Sequence, residues 1–215
     1  QTRDALLAAW QALGAGPCLV EKQVSLQAEF SVIVARNARG ECVHLPVQQN
    51  LHRQGILATT QVPAPDLTAQ ARTLASAYAD RLAGDLDYVG VLCVEFFLLT
   101  DGRILANEMA PRPHNSGHYS IDACDISQFE LQVRAMAGLP LVAPNLLAPC
   151  LMINLLGDLW YADAASQART PPWDQVLALP GVHLHLYGKL QPRRGRKMGH
   201  LTITAADAAA LEEHP

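Results

Sequence analysis

The chain has 215 residues, 50% hydrophobic and 17% charged, which is the balance of a globular protein long enough for a sizeable core. Its net charge of -4 gives no general attraction for nucleic acid or an acidic membrane surface, and no apolar run is long enough to span a bilayer. The five cysteines, Cys18, Cys42, Cys93, Cys124 and Cys150, form no C-x-x-C pair, so free thiols in a reducing cytosol are expected rather than a disulfide framework or a zinc site.

Asp4 to Leu13 places apolar residues at helical spacing, with Gly14 and Gly16 behind them, and predicts a short helix. Cys18 to Glu21 reads as a buried strand, Glu29 to Ala35 as a second and Glu41 to Val47 as a third. Gln48 to Leu57 holds amides, His52 and Arg53, and reads as a polar loop that either faces solvent or walls a ligand cleft. Val62-Pro-Ala-Pro-Asp66 breaks the chain and caps a helix whose apolar stripe is Leu67, Ala71, Leu74, Ala75, Tyr78 and Leu82, ended by Gly84.

Val89 to His118 is the most informative stretch. Asp101-Gly102 between two apolar runs predicts a tight hairpin. A two-residue loop there sets Glu95 directly opposite Glu108, in strands expected to be covered on both faces. Two facing carboxylates in such a place need a counter-charge or a shared proton, and a divalent cation such as Mg²⁺ supplies the first. A chance pair, separated by a one-residue register slip, is the competing reading. Arg112, His114, Asn115, Ser116, Gly117 and His118 then crowd polar groups directly after the second strand.

Ser127-Gln-Phe-Glu130 is a capping-box signature for a helix reaching about Ala137. Cys150 to Leu156 reads as a buried strand, Gly157 to Pro172 as an irregular excursion and Trp173 to Leu179 as a short helix. Val182 to Tyr187 alternates and puts His183 and His185 on one face, with no third metal ligand apparent. Gly188 to Gly199 carries Lys189, Arg193, Arg194, Arg196 and Lys197 around glycines, either a solvated turn or a phosphate clamp, and His200 to Thr204 is a last strand. Gln1-Thr-Arg-Asp4 shows no signal peptide, and both ends, including a helix-like Leu211 to Pro215, read as cuts within a longer protein. Strands joined by hairpins with a few helices make an α+β pattern.

These segments together resemble the ATP-grasp superfamily, and within it the carboxyaminoimidazole ribonucleotide synthetases. The resemblance rests on Val20-Glu21-x-x-Val24 with Glu29, on Gln49-Asn50-Leu-His52-x-x-Gly55, on Tyr88-Val-Gly-Val with Glu95, and on Asn107-Glu108-Met-Ala-Pro-Arg112-x-His114-Asn115-Ser116-Gly117-His118. Ser127-Gln-Phe-Glu130, Met152-Ile-Asn-Leu-Leu156-Gly157 and Gly195-Arg-Lys-Met-Gly-His200 complete it. It implies an N-terminally truncated ATP-grasp domain over residues 1–143, built of antiparallel sheets with packed helices, and a small β-rich subdomain over 144–215. It further implies ATP and Mg²⁺, with Glu21, Lys22, Gln23 and Val24 as adenine hinge, Glu29 on the ribose, His52 beside the nucleotide, Glu95 and Glu108 on the metal, and Asn107 assisting. Arg112, His114 and Asn115 would face bicarbonate or the ribonucleotide, His118 would contact substrate, and Arg196 and Lys197 would clamp its 5′-phosphate. The implied reaction is ATP-dependent carboxylation of 5-aminoimidazole ribonucleotide with bicarbonate, in a cytoplasmic homodimer. The family's N-terminal domain and its early segment with phosphate-binding lysines and a glycine-rich loop are not among these 215 residues, in which Lys22 is the first lysine, so little turnover is expected of them alone; Lys22-Gln23 stands where the family commonly has glycine and bears on the fit of adenine. A formate-dependent transformylase, a biotin-carboxylase-like subunit and a non-catalytic nucleotide-binding or assembly module are the alternatives.

Overall fold

The computed structural model describes residues 2–161 and 168–211. Nine strands form one antiparallel sheet: β1 (Leu26–Arg36), β2 (Cys42–His44), β3 (Gln48–Arg53), β4 (Ile56–Val62), β5 (Gly90–Leu99), β6 (Ile104–Ala110), β7 (Cys150–Leu156), β8 (Val182–Leu186) and β9 (Lys197–Thr204). Their order is β6-β5-β1-β3-β4-β7-β9-β8, with β2 paired to β1. Five helices accompany them: α1 (Arg3–Ala12), α2 (Ala69–Asp85), α3 (Ser120–Ala123), α4 (Gln128–Met136) and α5 (Trp173–Leu177).

The alternation of β1 explains the two cores. Phe30, Val32 and Val34 point to one face, where Leu92, Val94, Phe96 and Leu98 of β5 join them under α2. Phe30 and Phe96 are register partners and stack at 5.3 Å between ring centroids. The helix meets this face through Ala75, Ala79 and Ala83, spaced so that small side chains let it lie close to the sheet. Ile33 and Ala35 point to the opposite face, covered by Tyr119, Ala123 and Leu131 from the α3–α4 region.

Several expectations are corrected. Cys18 to Glu21 forms no strand: it is exposed, with Leu19 at 83% and Val20 at 65%, because no described strand lies alongside to bond its backbone. Cys18 is therefore exposed, while Cys93, Cys124 and Cys150 are buried free thiols. The expected loop Gln48 to Leu57 is the β3–β4 hairpin, turning at Gln54 and Gly55, which both have positive φ. The third strand, expected over Glu41–Val47, stops at His44. Thr68, not Asp66, caps α2, its Oγ1 accepting from Ala71 N–H at 3.1 Å. The stripe of α2 is rotated, leaving Leu74 and Tyr78 each 42% exposed. Strand β6 is an exposed edge rather than a strand covered on both faces. The Ser127 cap, β7 and β8 lie where expected. Part of the excursion after Gly157, and the helix-like end from Glu212 onward, lie outside the described residues.

Candidate active site

Glu95 of β5 and Glu108 of β6 are register partners. The turn that joins their strands is one residue longer than expected: Leu99 N–H donates to Arg103 O at 2.9 Å around Thr100-Asp101-Gly102, with Gly102 at φ +82°. That length shifts the register, so Leu98 faces Ile104 and Phe96 faces Ala106. A bulge at Asn107 then adds one residue back and restores the glutamate pair. The bulge has a second effect. Asn107 and Glu108, which a regular strand sends to opposite faces, both line one pocket with Glu29, His52 and Glu95.

Glu95 is 9% exposed, and its Oε1 has no hydrogen-bond partner among the described residues. Burial pushes its carboxyl up; His52 opposes the shift and Glu108 adds to it. Two opposed carboxylates, one with an unsatisfied oxygen, form a hard oxygen donor set that fits Mg²⁺. Beside them His52 Nδ1 bonds Glu29 Oε2 across the first two central strands. A cleft of about 480 Å³ runs from this pair between Leu26 and Asp66, along Asn50, Thr59 and Gln61. On the other side His52, Glu95 and Glu108 share a pocket with His114, Lys189 and Lys197. Burial lowers Lys197, with Glu95 opposing.

The segment after β6 is held from beneath. Gln128 accepts from His114 N–H and donates to His114 O, each at 2.8 Å. Ser116 N–H donates to His114 Nδ1 at 3.3 Å, which puts the proton of the neutral ring on Nε2, 3.8 Å from Glu95 Oε1. Burial lowers His114 to about 4, helped by Arg112 and Lys197, so the ring is neutral near pH 7. Asn115 is buried, and neither atom of its amide has a partner among the described residues.

The structure therefore brings Glu29, His52, Glu95, Asn107, Glu108, His114 and Lys197 together. Other expected residues lie apart. Lys22, Gln23 and Val24 line a separate hollow with Thr100, Asp101 and Arg103, and Glu21 is exposed beside it. Arg112 is exposed and bonds the neighbouring Pro113 O. Arg196 donates to Gln191 O at 2.9 Å. His118 packs against Phe129, Tyr187 and His200, with Nδ1 2.9 Å from Gln128 Nε2, and does not line the pockets around Glu95. Gln61 and Asp66 escaped sequence reasoning; the polar run Thr59-Thr60-Gln61 of β4 was the available signal for the first, while Asp66 read only as a turn residue and helix cap. So did the buried support behind the site: Asn50 Nδ2 donates to Ser31 Oγ at 2.5 Å, and Thr60 Oγ1 to Asn50 Oδ1 at 3.0 Å.

A family model described as the ATP-grasp domain matches residues 1–129, more than half of the chain. The chain belongs to the ATP-grasp family. A second model, the phosphoribosylaminoimidazole carboxylase C-terminal domain, matches residues 150–214. N5-carboxyaminoimidazole ribonucleotide synthase of Bacillus subtilis is 44% identical over 188 residues, covering 87% of this chain and 47% of that protein. The crystal structure of the Thermus thermophilus synthetase superimposes with a TM-score of 0.86 at 41% identity, covering 99% of this chain and 56% of that one. The Aspergillus clavatus enzyme, crystallised with ADP and 5-aminoimidazole ribonucleotide, gives a TM-score of 0.87 at 31% identity, covering 100% and 56%. This ATP-grasp chain thus spans about half the length of the relatives it matches. Among its described residues no helix is long and apolar enough to cross a membrane.

Proposed function

We propose that this chain supplies the metal-binding and reaction-facing part of an ATP-dependent ligase that carboxylates 5-aminoimidazole ribonucleotide with bicarbonate. The observation that carries the reading is the facing pair Glu95 and Glu108, with the buried unpartnered Oε1 of Glu95 and with His114 and Lys197 on the same pocket. A bicarbonate oxygen attacks the γ-phosphorus of ATP, the bond to ADP breaks, and carboxyphosphate forms. The exocyclic amine of the ribonucleotide then bonds to the carboxyl carbon, phosphate leaves, and the amine loses a proton.

In this reading Glu95 and Glu108 would hold Mg²⁺, with Asn107 beside them, and the ion would neutralise charge on the phosphates. Lys197 adds positive charge to the same pocket, and with Arg196 serves the substrate's 5′-phosphate. His114, neutral and with its proton on Nε2, donates a hydrogen bond into the pocket, and Asn115 and Arg112 complete the bicarbonate side. Glu29, oriented by His52, takes the ribose hydroxyls. Glu21 to Val24 contribute the adenine end, and His118 supports the substrate side through its neighbours. We assign the parts as residues 1–143 and 144–215, a division bracketed by the two matched segments. A cytoplasmic location, supported by the buried free thiols, and a homodimeric assembly complete the proposal.

Calorimetry with Mg·ATP, on the chain extended to the length of its relatives, tests the binding half of this reading. Phosphate release tests the chemistry, on the chain extended to the length of its relatives. Release that needs both bicarbonate and the ribonucleotide supports the proposal. Release driven by formate instead, or no Mg·ATP binding at all, would assign the site to another ligase or to a non-catalytic module.

A further inference from the structure

Three side chains that the proposed reaction does not use converge where the two matched segments meet. Asp122 comes from α3, His185 from β8 and His200 from β9, and one ligand atom of each lies within 4.8 Å of the others. His185 and His200 are register partners on adjacent strands, with rings stacked at 4.5 Å. Asp122 Oδ2 lies 2.9 Å from His185 Nε2, and Asp122 Oδ1 lies 3.8 Å from Nδ1 of His183, two residues along the same strand. His200 is 2% exposed. Its Nδ1 is 2.9 Å from the Tyr187 hydroxyl, while its Nε2 is buried without a partner among the described residues. A buried polar atom left unpaired is costly and points to a group that answers it.

We propose that Asp122, His185 and His200 bind a transition-metal dication of the zinc class, with His183 placed to complete the set. The donor chemistry separates this site from the glutamate pair. Imidazole nitrogens with one carboxylate suit zinc, whereas Mg²⁺ takes oxygen ligands. Zinc bonds of about 2.0–2.2 Å put tetrahedral ligand atoms roughly 3.4 Å apart, so Asp122 and His185, now 2.9 Å apart, open slightly and His200 closes in, adjustments within reach of side-chain rotation. With Nε2 of His200 on the ion, its Nδ1–H donates to the Tyr187 oxygen, the outer contact that fixes a metal-binding imidazole. The ion would staple the two segments, because Asp122 lies in the first matched region and both histidines in the second. His200 also packs at 5.1 Å on the ring of His118, which Gln128 bonds together with His114. The staple therefore sits directly beneath the segment that faces the glutamate pair.

The test uses this chain stripped with a chelator and titrated with zinc chloride by calorimetry and thermal melting. One ion binds per chain, the melting temperature rises with zinc concentration, and Co²⁺ in its place gives the visible bands of tetrahedral coordination. Asp122→Asn and His185→Gln each weaken binding by more than about tenfold, since even an outer-contact partner is worth about 10–100-fold. Glu95→Gln leaves zinc affinity unchanged. Imidazole NMR signals of the unsubstituted chain provide a readout that needs no variant: zinc moves those of His185 and His200. Absence of saturable binding, binding that survives both substitutions, or zinc that leaves those two imidazoles unmoved overturns the proposal.

Discussion

Gln128 holds His114 by both ends of its peptide, accepting from the N–H and donating to the carbonyl at 2.8 Å each. Because Gln128 is fully buried at the start of α4, the helix sets the position of His114. Gly117 belongs to the same clamp: a Cβ there would lie 2.7 Å from Gln128 Oε1. Gln128→Leu leaves the His114 N–H without its partner, while the carbonyl keeps the bond it accepts from Gly117 N–H at 3.0 Å, and costs about 1–3 kcal/mol for the unsatisfied group. Gln128→Glu keeps the bond from the N–H, loses the donation to the carbonyl, and falls between. Urea unfolding of the three proteins checks the order; equal midpoints would mean that the clamp carries no stability.

The glutamate pair makes opposite demands with and without an ion. Burial raises the Glu95 carboxyl, so the folded chain favours its protonated form. That contribution is fully present below the unfolded value and is lost as pH rises through the folded value. Without metal, Glu95→Gln puts a neutral side chain of the same shape where a carboxylate would be costly to bury beside Glu108, so the variant melts no lower than the parent and Mg·ATP binding is lost. Glu108→Gln loses the same binding, and because Glu108 is exposed its metal-free melting temperature stays close to the parent's. A Glu95→Gln protein that melts well below the parent, or that still binds Mg·ATP with parental affinity, contradicts this account.

What was legible in the chain follows from which interactions are local. Strand β7 was read to the residue because Cys150 to Leu156 is an apolar run bounded by Pro149 and Gly157. The facing glutamates were anticipated, but by a route that the molecule does not take: a longer turn and a bulge at Asn107 cancel, and neither leaves a mark that composition reveals. Gln48 to His52 looked like a loop because its residues are polar. Their partners, such as Ser31 for Asn50, are distant in the chain, so a buried polar strand face cannot be told from a solvated one. Cys18 to Val20 has the apolarity of a strand, but none of the described strands lies alongside to pair it. Asp122 and His200 were invisible as companions of His185 because only the β8–β9 register and the α3 packing unite them.

Buried histidines make stability fall with acid. Burial lowers His118 and His114 to about 4 and His200 to about 3. The unfolded chain, with histidine near about 6.5, therefore binds more protons than the folded one between that value and about 4. The stabilisation is present above pH about 6.5 and drains away as pH falls through that window, by up to about 1.4 kcal/mol per pH unit for each histidine that titrates only on unfolding. Glu95 works in the opposite direction, one carboxyl against three imidazoles. Denaturant unfolding in chelator between pH 7 and 4.5 gives a positive slope of stability on pH, and His118→Gln flattens it. A flat profile in the parent would remove the argument.

The hairpin turn provides a local test of how the glutamate pair is aligned. Gly102 has φ +82° at the last position of the turn, and its N–H donates to Leu99 O at 2.9 Å. A side chain there meets no neighbouring atom within 4 Å, so the cost of a substitution is the backbone conformation alone. Gly102→Ala is expected to lower stability by about 1–2 kcal/mol, the penalty of a left-handed residue carrying a Cβ, while Gly102→Asn costs less because asparagine visits that region routinely. Neither change touches the bulge at Asn107, which sets the glutamates opposite each other on the far side of the strand pair. Mg·ATP affinity at a temperature where all three proteins are folded should therefore match the parent's. Thermal melts and calorimetry on the same samples separate the two quantities, and a loss of affinity that tracks the loss of stability would show that the turn, rather than the bulge, governs the alignment.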